Sequence, residues 1–248
     1  MRIYLAGRLA IEAGDQLLDE GQLPARQGRI AFAYLVLERQ RPIPRLELAE
    51  AIWGADVPEA WDAGLSALLS RLRRVFRDSA IEADIETLSG SASLSLPDGV
   101  WVDVEAARNA LDEAEGLMRS ATPEDAWGPA VVAFSITERG FLHGEELPWI
   151  VRERERQRAE HLRVLEVLSE LSFFRGEPEA ALVYARKSIE MEPFRESSYE
   201  RMMRAQLKVG NRAEALRTYE KLRQLLADEL GADPSPALQA RYLEALRT

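Results

Sequence analysis

Gly176-Glu177-Pro178-Glu179-Ala180-Ala181-Leu182 returns as Gly210-Asn211-Arg212-Ala213-Glu214-Ala215-Leu216, 34 residues later. A period of 34 with small residues at fixed offsets is the mark of tetratricopeptide helix hairpins. One such hairpin cannot cover its own apolar face, so each buries alanine and leucine against the next. Stacks of this kind bind proteins or peptides more often than they catalyse. Working outward from the repeat, everything from Asp103 onward reads as helix. The expected spans are 103–119, 124–137, 148–175, 178–191, 195–209, 212–229 and 235–247, with glycine or proline at most joins.

The region before Asp103 has a different rhythm. Ile3, Leu5, Leu9 and Ile11, interrupted by Gly7 and Gly14, read as short strands over residues 2–18. Ile30, Ala33, Tyr34 and Leu37 have helical spacing over 26–40, and Pro42 and Pro44 end that helix and open the next. A second helix runs over about 45–53 and stops at Gly54. A third covers about 59–77, with Leu65, Leu68, Leu69, Leu72 and Phe76 as its apolar stripe. Two short strands, 85–88 and 93–96, follow around Ser89-Gly90-Ser91-Ala92. Three helices and then a hairpin is the winged-helix plan, in which the third helix enters the major groove and the hairpin touches the backbone. The expected fold is therefore mainly α with a small β component. A winged helix-turn-helix over 1–102 precedes an all-α, tetratricopeptide-like domain over 103–248.

Composition limits the function classes. The 248 residues are 46% apolar, enough for one large or two ordinary domains. The absence of cysteine removes disulfide and thiolate chemistry and points to a reducing cytoplasm. No apolar run reaches the length of a membrane helix, and the first residues enter a strand pattern rather than a signal peptide. His143 and His161 stand in different segments without ligand-spaced partners, so no metal or other cofactor is expected. The alternating run 152–160 reads as a solvated helix face. No phosphate-binding loop, nucleophile elbow or dinucleotide fingerprint is present, so the chain does not read as an enzyme.

The third helix carries the candidate chemistry. Arg71, Arg73, Arg74 and Arg77 crowd its C-terminal end, off the apolar stripe. Guanidinium pairs bidentately with phosphate or with guanine O6 and N7, although cations at a helix C-terminus also complement the macrodipole without any ligand. Ser66 and Ser70 would add minor polar contacts, and Arg45 is the candidate for an additional phosphate contact. Charge runs the other way. Residues 1–105 hold 11 arginines and no lysine against 17 carboxylates, more acidic than the remainder, within a whole-chain net charge of −10. Asp62, Ala63 and Gly64 open the third helix, and the hairpin turn contains no cation.

These segments resemble the Streptomyces antibiotic regulatory protein (SARP) family. Arg45-Leu46-Glu47-Leu48-Ala49-Glu50-Ala51-Ile52-Trp53-Gly54 resembles that family's second helix, and Leu69-Ser70-Arg71-Leu72-Arg73-Arg74 its recognition-helix ending. Glu138-Arg139-Gly140-Phe141-Leu142 is similar to its arginine-glycine turn. Tyr199-Glu200-Arg201-Met202-Met203, Gly210 to Leu216, and Leu226-Ala227-Asp228-Glu229-Leu230-Gly231-Ala232-Asp233-Pro234-Ser235 resemble successive parts of its activation domain. The resemblance implies an OmpR-type winged helix joined to a bacterial transcriptional activation domain. It implies binding to promoter DNA as pairs on direct repeats, contact with RNA polymerase or another protein through the helical domain, and a homodimer without membrane attachment. The end of the chain soon after the activation domain implies a small, stand-alone form. A second reading keeps the fold but makes it a protein-interaction module that modulates another regulator without touching DNA. Trp61 would then be an exposed anchor, while Phe173 and Phe174 pack between helices rather than line a pocket.

Overall fold

The structure is a computed structural model that describes residues 1–120 and 122–247. The chain divides into two compact units. The first comprises Met1–Ala107 with Ile136–Arg158, and the second Arg108–Ser135 with Ala159–Thr248.

The first unit begins with β1 (Arg2–Tyr4), β2 (Ala10–Ala13) and β3 (Gln16–Asp19). It continues with α1 (Ala25–Leu37), β4 (Ile43–Pro44), α2 (Arg45–Trp53) and α3 (Trp61–Asp78). The hairpin β5 (Asp84–Leu88) and β6 (Ser91–Ser95) and the short β7 (Trp101–Val102) complete it. One sheet has the order β3-β2-β1-β7, the other β4-β6-β5. Register decides which side chains go inward. Ile3 stands opposite Ile11 and Val102, and Ile11 opposite Leu18, so these four form one buried row. Helix α1 is buried nearly all round, from Ile30 through Val36 except Tyr34, and serves as the centre of this unit. Phe32 on α1 meets Phe76 on α3 edge to face at 5.9 Å.

Strands β4 and β7 were not visible in the periodicity. Pro44 does precede a helix, but it also extends Ile43 into a two-residue strand against β6, a place where a missing N–H costs nothing. Strand β6 starts at Ser91 rather than Ser93, because Ser89 and Gly90 alone make the turn. Both have positive φ, +51° and +79°, and Leu88 pairs directly with Ser91. That is a two-residue hairpin of the type I′ kind, whose twist matches the strands. Trp61 is half-buried against the core rather than exposed. The three helices and hairpin form a winged helix-turn-helix.

The second unit is helical. It holds the later part of α4 (Asp103–Met118), a 3-10 turn at Pro123–Ala126, most of α5 (Trp127–Thr137) and the later part of α6 (Pro148–Phe174). Helices α7 (Pro178–Met191), α8 (Glu196–Lys208), α9 (Arg212–Leu230) and α10 (Pro236–Arg247) follow. The repeat reappears as geometry. Gly176 and Gly210 take φ of +75° and +77°. The next amides, of Glu177 and Asn211, donate to Ser172 and Gln206 carbonyls at 2.9 and 2.8 Å. Each left-handed glycine thus ends its helix with the same closing bond. Ala181 and its counterpart Ala215 are both buried, which lets neighbouring helices approach closely. A network of Glu166 and Glu170 with Arg195, Arg201 and Arg204 ties α6 to α8. Phe174 is exposed, and Phe173 lines a groove rather than packing between helices.

Candidate nucleic-acid interface

Helix α3 is two-sided. Leu65, Leu68, Leu69, Leu72 and Phe76 are buried, each within 1% of full burial. Burying one such side chain stabilises a fold by roughly 1.5–3 kcal/mol. Ala63, Ala67, Ser70, Arg74 and Arg77 follow the spacing i, i+4, i+7, i+11, i+14 on the opposite side and are exposed. Ser66 flanks this line on one edge and Arg71 on the other, both exposed.

The sequence-expected site residues fall into two groups. Arg71, Arg74 and Arg77 are exposed in the last turns of α3, and their guanidinium groups have no hydrogen-bonding or ionic partner among the described residues. Arg73 is half-buried and turned toward the hairpin. Its Nε donates to the Ile85 carbonyl at 2.6 Å, and its Nη2 to Thr87 Oγ1 at 3.3 Å. Arg45 is also engaged. Its Nε donates to Asp62 Oδ1 at 2.8 Å, and its Nη2 to the Asp62 carbonyl at 3.0 Å and to Ser66 Oγ at 2.8 Å. The Arg45 backbone amide donates to the Gly90 carbonyl at 3.0 Å. A single residue therefore joins the start of α2, the start of α3 and the tip of the hairpin. The Arg45–Asp62 pairing lies 17 positions apart and had no signal in the sequence. It offsets the acid that opens α3.

Small side chains occupy the N-terminal half of the exposed face, which permits close approach to a groove floor. Alanine methyls can touch thymine methyls, and serine hydroxyls can pair with several base edges. The hairpin offers no cation, and its Leu88 is 77% exposed. His143 Nε2 donates to the Arg139 carbonyl at 2.8 Å, and His161 is buried against Phe134, each a structural contact. No described helix is long and apolar enough to cross a membrane.

Residues 86–246 match the family described as the bacterial transcriptional activator domain, about two thirds of the chain. The chain belongs to that family. It is 31% identical over 221 residues to the regulatory protein AfsR of Streptomyces coelicolor, covering 86% of this chain and 21% of that protein. It is 28% identical over 253 residues to AfsR of Streptomyces griseus, covering 99% of this chain and 25% of the relative. The transcriptional regulator RedD of Streptomyces coelicolor is 26% identical over 244 residues, with 91% of this chain and 65% of RedD covered. The chain thus spans only a fifth to a quarter of the two AfsR proteins. Among solved structures, Mycobacterium tuberculosis EmbR, in complex with a low affinity phosphopeptide, superposes with a TM-score of 0.83 at 21% identity. The match covers 99% of this chain and 65% of that one and establishes likeness of fold.

Proposed function

We propose that the chain acts as a transcriptional regulator of the SARP type, in the cytoplasm and without catalysis. Its OmpR-type winged helix, residues 1–102, binds promoter DNA with α3 in the major groove. Arg71 and Arg74 contact phosphates or guanines, Arg77 a phosphate, and Ser66 and Ser70 make minor polar contacts. Arg73 and Arg45 hold the hairpin and the start of α3 in register for that contact, and Arg45 reaches a phosphate only as Asp62 releases it. The helical domain, residues 103–248, contacts RNA polymerase or another protein and supports pairing of two copies on direct repeats.

The observation that carries this reading is the set of three partnerless guanidinium groups on the exposed face of α3. A cation without an internal partner is free to displace counterions from DNA. Kinship with the regulators AfsR and RedD supports it as well. The test is recovery of fragmented source DNA by the purified protein at two salt concentrations, followed by sequencing. A repeated motif, enriched at low salt and weakened by high salt, is the expected result. A motif retained equally by the Arg71→Ala, Arg74→Ala double variant would remove α3 from the interface.

A further inference from the structure

A groove of about 490 Å3 opens in the second unit where the repeat ends. Phe173 and Leu207 line it, each three positions before its repeat glycine, so the repeat itself supplies the apolar floor. Around them stand Arg204, Lys208, Arg212 and Arg241, with Glu244 among them. Four cations lining one groove are unexpected in a chain of net charge −10.

Three of these cations are held in place from behind. Arg204 lies over the Phe173 ring, 4.5 Å from its centre, and its Nη1 donates to Glu170 at 2.9 Å. Arg241 donates to Glu200 at 3.2 Å and to Glu244 at 2.8 Å. Arg212 donates to the Leu246 carbonyl. Guanidinium groups fixed in this way lose little further freedom when a ligand arrives. Lys208 is exposed and has no partner among the described residues. Positive charge remains in excess even with Glu170, Glu200 and Glu244 set against it.

The lining says what kind of anion fits. Phe173 and Leu207 present apolar surface between the cations. A small inorganic anion would leave this apolar surface in water, and the phosphates of a duplex offer nothing apolar to cover it. A polypeptide that alternates carboxylates with apolar side chains satisfies both requirements. We propose that this groove binds an acidic, apolar-rich peptide segment of a partner protein. Its carboxylates meet Lys208 and Arg241, and its apolar side chains lie on Phe173 and Leu207. This names the chemistry of the partner taken by the helical domain and rests on that part of the proposed function alone.

The experiment is fluorescence anisotropy on the full chain with a short fluorescein-labelled peptide alternating leucine and glutamate. Its leucine–glutamine counterpart is the control. The glutamate peptide is expected to bind saturably, more weakly as salt rises, and about tenfold more weakly to Lys208→Glu, as for loss and reversal of an interface charge. Lys208 is exposed and unpartnered, so that variant is expected to fold, which its melting curve checks. No binding at low salt, equal binding of the glutamine peptide, or indifference to Lys208→Glu would overturn the proposal. So would stronger displacement of the labelled peptide by inorganic phosphate or duplex DNA than by unlabelled peptide. Binding of promoter DNA is expected to be unchanged in Lys208→Glu. Its loss would assign the lysine to DNA instead.

Discussion

Asp103 is fully buried at the start of α4, and its carboxylate accepts from the amides of Leu5 and Val104 at 2.8 Å and of Ala6 at 3.0 Å. Burial holds its pKa above the usual aspartate range, although the three amides and the charge of Arg139 pull the other way. A carboxylate has acceptors for all three amides, whereas an asparagine would turn an N–H₂ toward at least one of them. Asp103→Asn is expected to lower stability by about 1–3 kcal/mol, the cost of a buried donor left unsatisfied. Urea unfolding that returned an unchanged midpoint would show that the site tolerates the amide. Tyr34 gives a pH prediction. Burial first, and then its 2.7 Å hydrogen bond to Glu47, push its pKa up to about 12. An unfolded tyrosine titrates near 10, so the folded protein holds this proton more tightly. The stability it confers is complete below about pH 10 and is lost as pH rises toward about 12. In an ultraviolet absorbance titration, Tyr34→Phe should remove a tyrosinate step near the upper value. Removal of a step near the lower one would contradict the burial argument.

At the scale of elements, α3 shows what periodicity can and cannot disclose. Its stripe of leucines, its two-sidedness and its exposed arginine end were all legible, because burial of one face imposes a 3.6-residue period. The helices of the second unit were legible to within a few residues for the same reason, aided by glycines that end them. Strands β4 and β7 were not, since two residues are too few to show alternation and each exists only through its partner. The division of labour among the arginines was equally hidden. Arg73 and Arg74 are neighbours in sequence, yet one bonds the hairpin and the other faces solvent. Only the angular position on the helix and the place of β5 separate them. Gly64 provides the test at this scale. It is exposed inside α3, and a Cβ there would meet Trp53 at an ordinary 3.8 Å. Gly64→Ala is therefore expected to stabilise the protein by about 0.5–1 kcal/mol, the difference in helix propensity. A lower melting temperature would mean that the backbone at this point departs from regular helix. If stability rises while affinity for DNA falls, the missing side chain serves close approach to the groove.

For the molecule as a whole, acidity and DNA binding have to be reconciled. Net charge governs nonspecific attraction, whereas a specific complex depends on where the cations stand. In the first unit the carboxylates are spread over several elements, and the acid nearest the start of α3 is already paired with Arg45 at 2.7 Å. Such an exposed pair contributes roughly 0–1 kcal/mol to stability, so it serves better as local neutralisation than as a fastening. Three uncompensated arginines, Arg71, Arg74 and Arg77, gather at one helix end instead. The most direct measurement is the affinity of the purified protein for its enriched DNA motif across a range of salt, compared with Arg71→Ala and Arg74→Ala. The account predicts weaker binding for each variant at unchanged melting temperature, with the salt slope reduced by about one per arginine removed. Affinity and slope identical to the parent protein in both variants would contradict it, and would take α3 out of contact with DNA.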